Sequence, residues 1–310
     1  MNRCEGKNKN GSGCKLKALG GTEYCMRHNR ECTDKIIRTK LPEQLDKDLL
    51  EEIKAFENSV LKEHYLEIFE LIQVKELTAV FFGRLSYTGE DVVIKIAPKF
   101  WIKDKSGLLP QNVLQNEIHN LRQCMKTKSK ITADFIDTFD TERFIFLVSE
   151  KLPGENLYSY FKNFKGDKKE ETSSLLDQML DILHVLHTQV GGCGSVHRDI
   201  SAGNFITTPE SDLYLIDFEL ARQLIFAEFL GNKFAGTVRY MSVPAMREET
   251  YTPSQDLEGV VYVLSEFYEG TLPWQGLDGL KDREEIIRLK EDFVPKHPEL
   301  RDLLEGLREK

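Results

Sequence analysis

Two aspartates and an asparagine are the residues of this sequence whose types and spacing could do chemistry. Residues 195–205 read SVHRDISAGNF, so Asp199 stands five positions before Asn204, and Asp217 follows in LYLIDFEL. Phosphoryl transfer needs a carboxylate that orients an incoming hydroxyl, and hard oxygen ligands that hold magnesium. These three residues supply both, and the sequence therefore predicts a phosphoryl-transfer site.

A lysine and a glutamate further up the chain would complete that site. Lys95 ends the β-branched run VVIK, so its ammonium group would project from a rigid sheet and hold phosphate oxygens as a point charge. Glu117 falls on the next predicted helix and could supply the counter-charge. Taken alone, Lys95 is more simply interpreted as a lysine at the edge of the sheet, and Glu117 as an acidic residue on the surface. Their order ahead of His-Arg-Asp-x-x-x-x-Asn and Asp-Phe favours the shared site, because a chance match of all these elements is very rare.

The elements that must position these residues can be predicted from hydrophobic periodicity. Short strands are predicted in FELIQV, AVFFGRL and DVVIKIA, with TGED as a hairpin turn, and again in FIDTFD and RFIFLVSE. Between them, QNVLQNEIHNLRQCM predicts a helix with one apolar face, made of Leu114, Ile118, Leu121 and Met125. From about residue 173 the pattern becomes mainly helical. Strands with one helix, followed by helices, predict a two-lobed α+β fold.

From about residue 66 onward the chain resembles the protein kinase superfamily, on the motifs just described. Residues 236–277 are most similar to the casein kinase 1 family, on GTVRYMS, DLEGVVYVL and LPWQGL in that order. The resemblance implies a kinase-like fold, with an antiparallel sheet and one helix in an N-lobe at 66–152. It implies a mainly helical C-lobe at 153–310, with the last helices trimmed.

The resemblance also implies a role for each residue of the phosphoryl-transfer site. Asp199 would accept or orient the proton of the substrate hydroxyl, and Asn204 and Asp217 would hold magnesium. Lys95, aligned by Glu117, would hold the α- and β-phosphates of ATP. The implied activity is transfer of the γ-phosphoryl group of ATP to a serine or threonine of a protein substrate.

Further residues take implied roles around this centre. Thr237 would help to hold Asp199, and Asp256 would brace the loop that carries it. The adenine ring would lie among apolar side chains and against a hinge at Glu150 to Leu152. The apolar side chains are Ile72, Val80, Val93 and Ile206.

Two departures from the kinase pattern affect nucleotide and metal binding. The positions of the glycine-rich phosphate loop fall on Gln73, Lys75 and Thr78, and side chains there should hold the loop away from phosphate. We therefore expect weaker nucleotide binding than a glycine-rich loop would give. Glu219 replaces the glycine after Asp-Phe, where its carboxylate would either bind magnesium or repel phosphate.

Two other departures concern the substrate and its phosphate. Ser201 stands where serine/threonine kinases have a lysine that neutralises the γ-phosphate, which removes some charge stabilisation. Pro253 and Ser254 replace the arginines that precede DLE in the casein kinase 1 family. Recognition of phosphate-primed or acidic substrates is therefore in doubt.

The segment between Asp217 and Gly236 holds no serine, threonine or tyrosine. Arg198 therefore has no local residue whose phosphorylation could order this segment. We expect no phosphorylation switch here, with Glu228 as a fixed partner of Arg198.

The first 34 residues predict a separate metal-binding segment. Cys4, Cys14, Cys25 and His28 resemble small Cys3His knuckles and suit tetrahedral zinc, although an unstructured tail with incidental thiols is the alternative. Residues 35–65 predict a linker and an amphipathic helix. Residues 1–40 carry a net charge of +6 and the remainder −15, so any protein or nucleic-acid contact through charge would use this basic end.

Composition excludes some classes of protein. The chain has 310 residues, of which 40% are apolar and 30% charged, typical of a globular protein. No apolar run approaches the length of a membrane span, and no secretory signal is recognisable at the N-terminus. We expect an intracellular monomer in the cytoplasm or nucleus, with no membrane partner and with free thiols at Cys124 and Cys193.

Three functions remain open at this point. An active, magnesium-dependent serine/threonine protein kinase is the leading hypothesis, because every charge needed for transfer is present. A pseudokinase that acts as a binding module is favoured by the degenerate phosphate loop and by Glu219. A small-molecule kinase would tolerate Glu219 and Ser201, but GTVRYMS and LPWQGL are typical of kinases that act on proteins.

Overall fold

A computed structural model describes residues 66–74, 78–85, 87–99, 110–226 and 235–309. One compact unit takes its described residues mainly from the chain before Asp104 and from Ile136–Lys151. The second takes them mainly from Asn112–Phe135 and Leu152–Lys310. The predicted zinc ligands and the amphipathic helix at 35–65 lie outside the described residues.

The first unit is built on a five-stranded sheet. Its strands are β1 Leu66–Val74, β2 Ala79–Leu85, β3 Asp91–Pro98, β4 Phe135–Asp140 and β5 Phe144–Glu150, so the predicted strands are present. Their order in the sheet is β1-β2-β3-β5-β4. β1 pairs with β2, β2 with β3, and β3 with β5, all antiparallel.

Alternation along β3 separates the core of this unit from its other face. Val92, Ile94 and Ile96 are buried in a cluster with Phe81 and Phe146. Val93 and Lys95 point to the opposite face and are only partly buried. The hairpin from β2 to β3 turns at Gly89, whose φ of 76° is readily reached only without a Cβ.

The second unit is mainly helical. The helices are α1 Pro110–Cys124, α2 Leu157–Asn163, α3 Lys168–Thr188, α4 Val243–Met246, α5 Pro253–Glu269, α6 Arg283–Glu291 and α7 Pro298–Arg308. α3 packs against α5, and α5 against α7. Among the described residues, no helix is both long and apolar enough to cross a membrane. The α+β fold class, with an antiparallel sheet in one unit and helices in the other, is confirmed.

Five short strands complete this unit, one directly before α2 and four between α3 and α4. Their bounds are β6 Glu155–Asn156, β7 Ser195–Val196, β8 Phe205–Thr207, β9 Leu213–Leu215 and β10 Arg222–Gln223. β6, β8 and β9 form a three-stranded sheet, and β7 pairs with β10. The loops after β7 and β9 carry three of the predicted catalytic residues, Asp199, Asn204 and Asp217.

Two details of the helix predictions were wrong. α3 begins at Lys168 rather than near residue 173, because Asp167 caps its first turn and accepts a hydrogen bond from the amide of Lys169 at 2.8 Å. The sequence KGDKKEE is too polar for hydrophobic periodicity to reveal that turn. Met125 follows the end of α1 and is 52% exposed, so it does not continue the buried face of Leu114 and Ile118. Cys124 and Cys193 are free thiols, as predicted.

Candidate active site

The loop from His197 to Asn204, called here the 197–204 loop, is held by Asp256 at the start of α5. The carboxylate of Asp256 is fully buried and accepts hydrogen bonds from the amides of His197 at 2.8 Å and Arg198 at 2.9 Å. The Tyr251 hydroxyl donates at 3.2 Å, and the Nε2 of His187 lies at 2.9 Å. One side chain from a distant helix thus satisfies two backbone donors that no regular element could pair.

The charge of Asp256 is stabilised despite its burial. Burial by itself raises the pKa of this carboxyl, but the hydrogen bonds from the ring of His187 and from the backbone amide of His197 outweigh it. The pKa of Asp256 therefore lies below its usual value of 3.8. An ionised carboxylate is the form that can accept all these hydrogen bonds at once.

Two backbone positions near Asp256 adopt unusual conformations. Arg198 has a φ of 71°, which is a left-handed conformation. The hydrogen bonds that its own amide and the amide of His197 donate to Asp256 support this conformation. Gly236 has a φ of 114°, and a Cβ there would lie 2.7 Å from the carbonyl oxygen of Arg198. Only glycine allows this close approach between the 197–204 loop and the segment that begins at Gly236.

The carboxylate of Asp199 is oriented from both sides. Its Oδ1 accepts hydrogen bonds from the amide of Thr237 at 2.7 Å and from the Thr237 hydroxyl at 2.8 Å. Its Oδ2 accepts one from Nδ2 of Asn204 at 3.1 Å, and the same Nδ2 donates to the Asp199 carbonyl at 2.9 Å. Each carboxylate oxygen has more than one acceptor site, so Oδ2 keeps capacity for a further proton donor.

The ring of His197 links the 197–204 loop to the residues that precede Asp217. It is fully buried, and its Nε2 lies 3.1 Å from the carbonyl oxygen of Ile216 while its Nδ1 accepts from the amide of Asp199 at 3.3 Å. The Phe218 ring meets its face edge-on at 5.0 Å. Because a carbonyl only accepts, Nε2 must carry the hydrogen.

Asn204 and Asp217 come from neighbouring parts of the short sheet. The amide of Ile216 donates to the carbonyl of Asn204 at 2.8 Å, which brings the chain before Asp217 alongside Asn204. Asp217 itself has a φ of 71° and precedes a 3-10 turn over Phe218–Leu220. The two predicted magnesium ligands thus follow adjacent backbone segments.

Two asparagines of α1 hold the residues from Asp217 to Ala221, called here the 217–221 turn. The Nδ2 of Asn116 lies 2.8 Å from the carbonyl oxygen of Glu219 and 2.9 Å from that of Ala221. The Nδ2 of Asn120 lies 3.4 Å from the carbonyl oxygen of Phe218 and 3.3 Å from that of Ala221, and Asn120 is only 1% exposed. Sequence reasoning missed both residues. The available signal was a pair of asparagines four positions apart, flanking Glu117 on a helix.

Glu117, Asp217 and Glu219 bring their carboxylates together. Glu117 is 3% exposed, and one carboxylate oxygen from each residue lies within 4.8 Å of the others. Glu219 therefore adds its charge directly beside Asp217, in a place where the kinase pattern has glycine. A donor set of carboxylate oxygens suits magnesium, which prefers hard oxygen ligands.

Three of the predicted nucleotide-binding residues of the first unit, Val80, Val93 and Lys95, share one face of its sheet. Lys95 on β3 lies opposite Val80 on β2 and Leu147 on β5, and Val93 lies two residues away on the same side of β3. Ile72 on β1 is 43% exposed. That Lys95 aligns with Glu117 and lies beside Asp217 stays a prediction.

The other predicted contacts of adenine are spread along the chain. Glu150 ends β5 of the first unit and is partly buried. Leu152 and Ile206 belong to the second unit, where both are also partly buried. The adenine pocket stays a prediction, as does a partnership of Arg198 with Glu228, which lies outside the described residues.

A model of the protein kinase domain matches residues 76–307 of the chain. The chain belongs to the protein kinase family. The predicted superfamily is thereby confirmed, and the roles assigned to Asp199, Asn204 and Asp217 stay predictions. The finer resemblance to the casein kinase 1 family stays a prediction.

Several serine/threonine protein kinases are similar to this kinase domain. The serine/threonine-protein kinase TIO of Arabidopsis thaliana is 26% identical over 211 residues, covering 67% of this chain and 15% of that protein. A probable serine/threonine-protein kinase of Dictyostelium discoideum is 34% identical over 163 residues, covering 48% and 31%. The ribosomal protein S6 kinase 2 alpha of Gallus gallus is 28% identical over 234 residues, covering 71% and 28%. The chain thus spans less than a third of the length of each of these relatives.

Proposed function

We propose that this chain is an ATP- and magnesium-dependent serine/threonine protein kinase with casein kinase 1-like features in its C-terminal part. The kinase family and the serine/threonine kinases among its relatives support the class of reaction. The observation that carries the proposal is the oriented carboxylate of Asp199. Thr237 and Asn204 fix both of its oxygens and still leave an acceptor site on Oδ2.

The proposed reaction is a direct transfer of the γ-phosphoryl group. The oxygen of a substrate serine or threonine attacks the γ-phosphorus while its proton moves to Asp199. The bond between the γ-phosphorus and the bridging β–γ oxygen breaks, and ADP leaves. Asp256 contributes by holding the backbone of the 197–204 loop, so that the carboxylate of Asp199 needs no reorganisation during transfer.

Magnesium fits the oxygen donors of this site. The side-chain oxygen of Asn204 and the carboxylate of Asp217 are the proposed ligands, because the Nδ2 of Asn204 is already used on Asp199. Bound magnesium would neutralise the developing charge on the phosphates. Asn116 and Asn120 hold the backbone of the 217–221 turn, which supports a fixed position for Asp217.

Transfer of labelled phosphate from ATP tests the proposal. The full chain is incubated with casein, labelled ATP and magnesium, and compared with Asp199→Ala and Asp217→Ala. We expect incorporation in the wild type and at least a hundredfold less in each variant, since each removes a group on which transfer depends.

The matched control is Asp302→Ala, which removes an exposed aspartate of α7. Its activity should equal that of the wild type. Incorporation that persists in Asp199→Ala would disprove the assigned role. A wild-type protein that transfers no phosphate to any protein or to itself would support the pseudokinase instead.

The basic N-terminal segment has a separate proposed role. Cys4, Cys14, Cys25 and His28 are proposed to bind one zinc ion and to form a docking segment for a protein or nucleic acid. The support is the ligand spacing and the net charge of +6 over residues 1–40. Elemental analysis of the purified chain should find about one zinc per chain, lost in Cys25→Ser. An equal zinc content in both proteins would contradict this assignment.

A further inference from the structure

A small pocket of about 140 Å³ lies in the loop that follows α1. It is formed by residues 124–134, called here the 124–134 loop, all of which line it except Lys126. These residues belong to the second unit. The greater part of the exposed lining is polar. A pocket of this size has room for several water molecules or for one small ion.

The 124–134 loop is held in shape by hydrogen bonds at both of its ends. Oγ1 of Thr127 lies 2.7 Å from the carbonyl oxygen of Cys124 and 2.8 Å from that of Ser129. The amide of Thr127 donates to the same Cys124 carbonyl at 3.0 Å. Further along, the carbonyl of Ile131 accepts from the amide of Leu215 on β9 at 2.9 Å. The pocket is therefore formed before any ligand arrives.

Three hydrogen-bond donors in the buried part of the lining have no acceptor among the described residues. Thr132 is 4% exposed and Ala133 is 8% exposed, and both line the pocket. The hydroxyl of Thr132 is buried without a partner, and the amides of Thr132 and Ala133 donate no hydrogen bond within the described part of the chain. Because buried donors are paired in nearly all proteins, three of them together indicate an acceptor that comes from outside the chain.

The charges of the lining favour an anion. Lys128 and Lys130 line the pocket against one acid, Asp134. Nζ of Lys130 lies 3.2 Å from Oδ2 of Asp134, so these two charges compensate each other. Lys128 is exposed, and no residue in the described ranges forms an ion pair with it. Burial raises the pKa of the Cys124 thiol to about 12, so this group adds no negative charge near pH 7.

We propose that this pocket binds a phosphate group, with Lys128 as its charged contact and the Thr132 hydroxyl as one of its hydrogen-bond donors. A phosphate offers several acceptor oxygens at once, and backbone amides of irregular loops are suited to hold it. The lysines disfavour a cation, and an apolar ligand would leave the donors unpaired. No residue assigned to phosphoryl transfer lines this pocket, so the proposal does not depend on the proposed kinase function.

A phosphate titration followed by NMR locates the site. The full chain, isotopically labelled and free of nucleotide and magnesium, is titrated with sodium phosphate, and a titration with sodium chloride at equal ionic strength is the reference. The amide signals of Lys128, Thr132 and Ala133 should shift with phosphate along one saturation curve and stay in place with chloride. Sulfate has the same tetrahedral shape and should shift the same signals.

A pair of lysine variants tests the charged contact. Lys128→Gln should weaken phosphate binding about tenfold, because it removes a charge-assisted hydrogen bond. Lys126→Gln is the matched control, since Lys126 is also exposed but does not line the pocket, and its Nζ donates to Oε1 of Gln123 at 3.0 Å. The affinity of this control for phosphate should stay within about twofold of the wild type.

Thr132→Val tests the buried hydroxyl, because valine keeps the shape of threonine and lacks the donor. Without phosphate, the variant should melt at a temperature equal to or above that of the wild type, since it no longer buries an unpaired hydroxyl. Its affinity for phosphate should be about fivefold lower. Phosphate should therefore raise the melting temperature of the wild type more than that of the variant. A hydroxyl with only a structural role would not produce this difference.

Methyl phosphate distinguishes the two sources of such a group. Comparable affinities for methyl phosphate and inorganic phosphate indicate a phosphate ester as the ligand, whereas much weaker binding of methyl phosphate indicates the free anion, and either outcome supports the proposal. Shifts confined to signals outside the 124–134 loop, no binding at millimolar phosphate, or equal affinities of Lys128→Gln and the wild type would overturn it. If the loop binds phosphate but the chain transfers none from ATP, this inference stands and the kinase proposal fails.

Discussion

The sheet of the first unit and the 197–204 loop of the second unit position their polar side chains in different ways. Lys95 lies within β3, where ladder hydrogen bonds to β2 and β5 satisfy the backbone and alternation sets its face. Asp199 lies in a loop next to Arg198, whose φ is 71°. There the backbone amides are satisfied by the side chain of Asp256, which is more than fifty positions away.

This difference decides where the molecule is sensitive to substitution. In the sheet, regular backbone hydrogen bonds determine the geometry. Substitution of exposed polar side chains there should therefore change the free energy of unfolding only slightly. In the second unit, single buried side chains hold irregular backbone, and removing one leaves several groups unpaired in the interior. Four experiments test this contrast, and they are taken from the largest expected effect to the smallest.

Substitution of Asp256 should have the largest effect. The amides of His197 and Arg198 each donate to one carboxylate oxygen of Asp256. Asp256→Asn replaces one of these oxygens by an NH2 group, so one of the two amides loses its acceptor. We expect the free energy of unfolding to fall by about 3 kcal/mol in urea denaturation at pH 7. Because the folded-state pKa lies below 3.8, the contribution of the ionised carboxylate is present above about pH 4 and is lost as pH falls through the lowered pKa.

The control for Asp256 is Asp181→Asn, which changes an exposed aspartate of α3. It should alter stability by less than about 0.5 kcal/mol. A loss below about 1 kcal/mol in Asp256→Asn would mean that the 197–204 loop is not held by this side chain.

The second largest effect is expected at Lys290, as a dependence of the free energy of unfolding on pH. Burial lowers the pKa of its ammonium group from 10.5 to about 7, although the charge of Glu258 opposes this. Between pH 7 and 10.5 the unfolded chain therefore binds a proton that the folded chain does not, so stability should rise with pH in this interval. The rise should approach about 1.4 kcal/mol per pH unit at most.

Urea denaturation at pH 7 and pH 9 measures this contribution. From pH 7 to pH 9, the free energy of unfolding of the wild type should rise by about 2 kcal/mol more than that of Lys290→Met, whose side chain does not titrate. Lys281→Met, an exposed lysine ahead of α6, should keep the wild-type dependence. Identical pH dependence in the wild type and Lys290→Met would show that Lys290 does not lose its proton on folding.

The asparagine pair of α1 should give a smaller and more local effect. Asn116→Ala and Asn120→Ala each remove hydrogen bonds to the 217–221 turn, so we expect a loss of about 1–2 kcal/mol in stability. Hydrogen exchange should accelerate at least tenfold in residues 217–221. Asn112→Ala changes an exposed asparagine of the same helix and should leave exchange in the turn unchanged. Unchanged exchange in both of the first two variants would mean that other contacts hold the turn.

An ion pair of the first unit should give the smallest effect. Nε and Nη2 of Arg84 lie 3.0 Å and 2.7 Å from Oδ1 of Asp91, next to the turn of the β2–β3 hairpin. A double-mutant cycle with Arg84→Ala and Asp91→Ala should give a coupling of about 0.5 kcal/mol, because exposed pairs are screened by water. A coupling energy above about 2 kcal/mol would contradict the expectation that exposed side-chain pairs of the first unit contribute little to stability.

Hydrophobic periodicity was enough to predict the strands of the five-stranded sheet and the helix α1, but not the short strands β6 to β10. The strands β2 and β3 and the helix α1 fall where the pattern placed them, because alternation and helical spacing reflect which side chains leave water. The pattern was wrong at Met125 and at the start of α3. Both errors lie at helix ends, where caps and chain direction outweigh the apolar pattern.

The sequence by itself was enough to determine the protein kinase family and the residue types at the candidate site, because motif order and spacing are properties of the chain. Only the tertiary structure decided which polar groups form hydrogen bonds or ion pairs with one another. Asn116 meets Glu219 across 103 positions, Asp256 meets Arg198 across 58, and Glu266 meets Arg239 across 27. Local patterns carry no information on such pairs, since a polar side chain that faces a distant backbone has the same sequence signature as one that faces water.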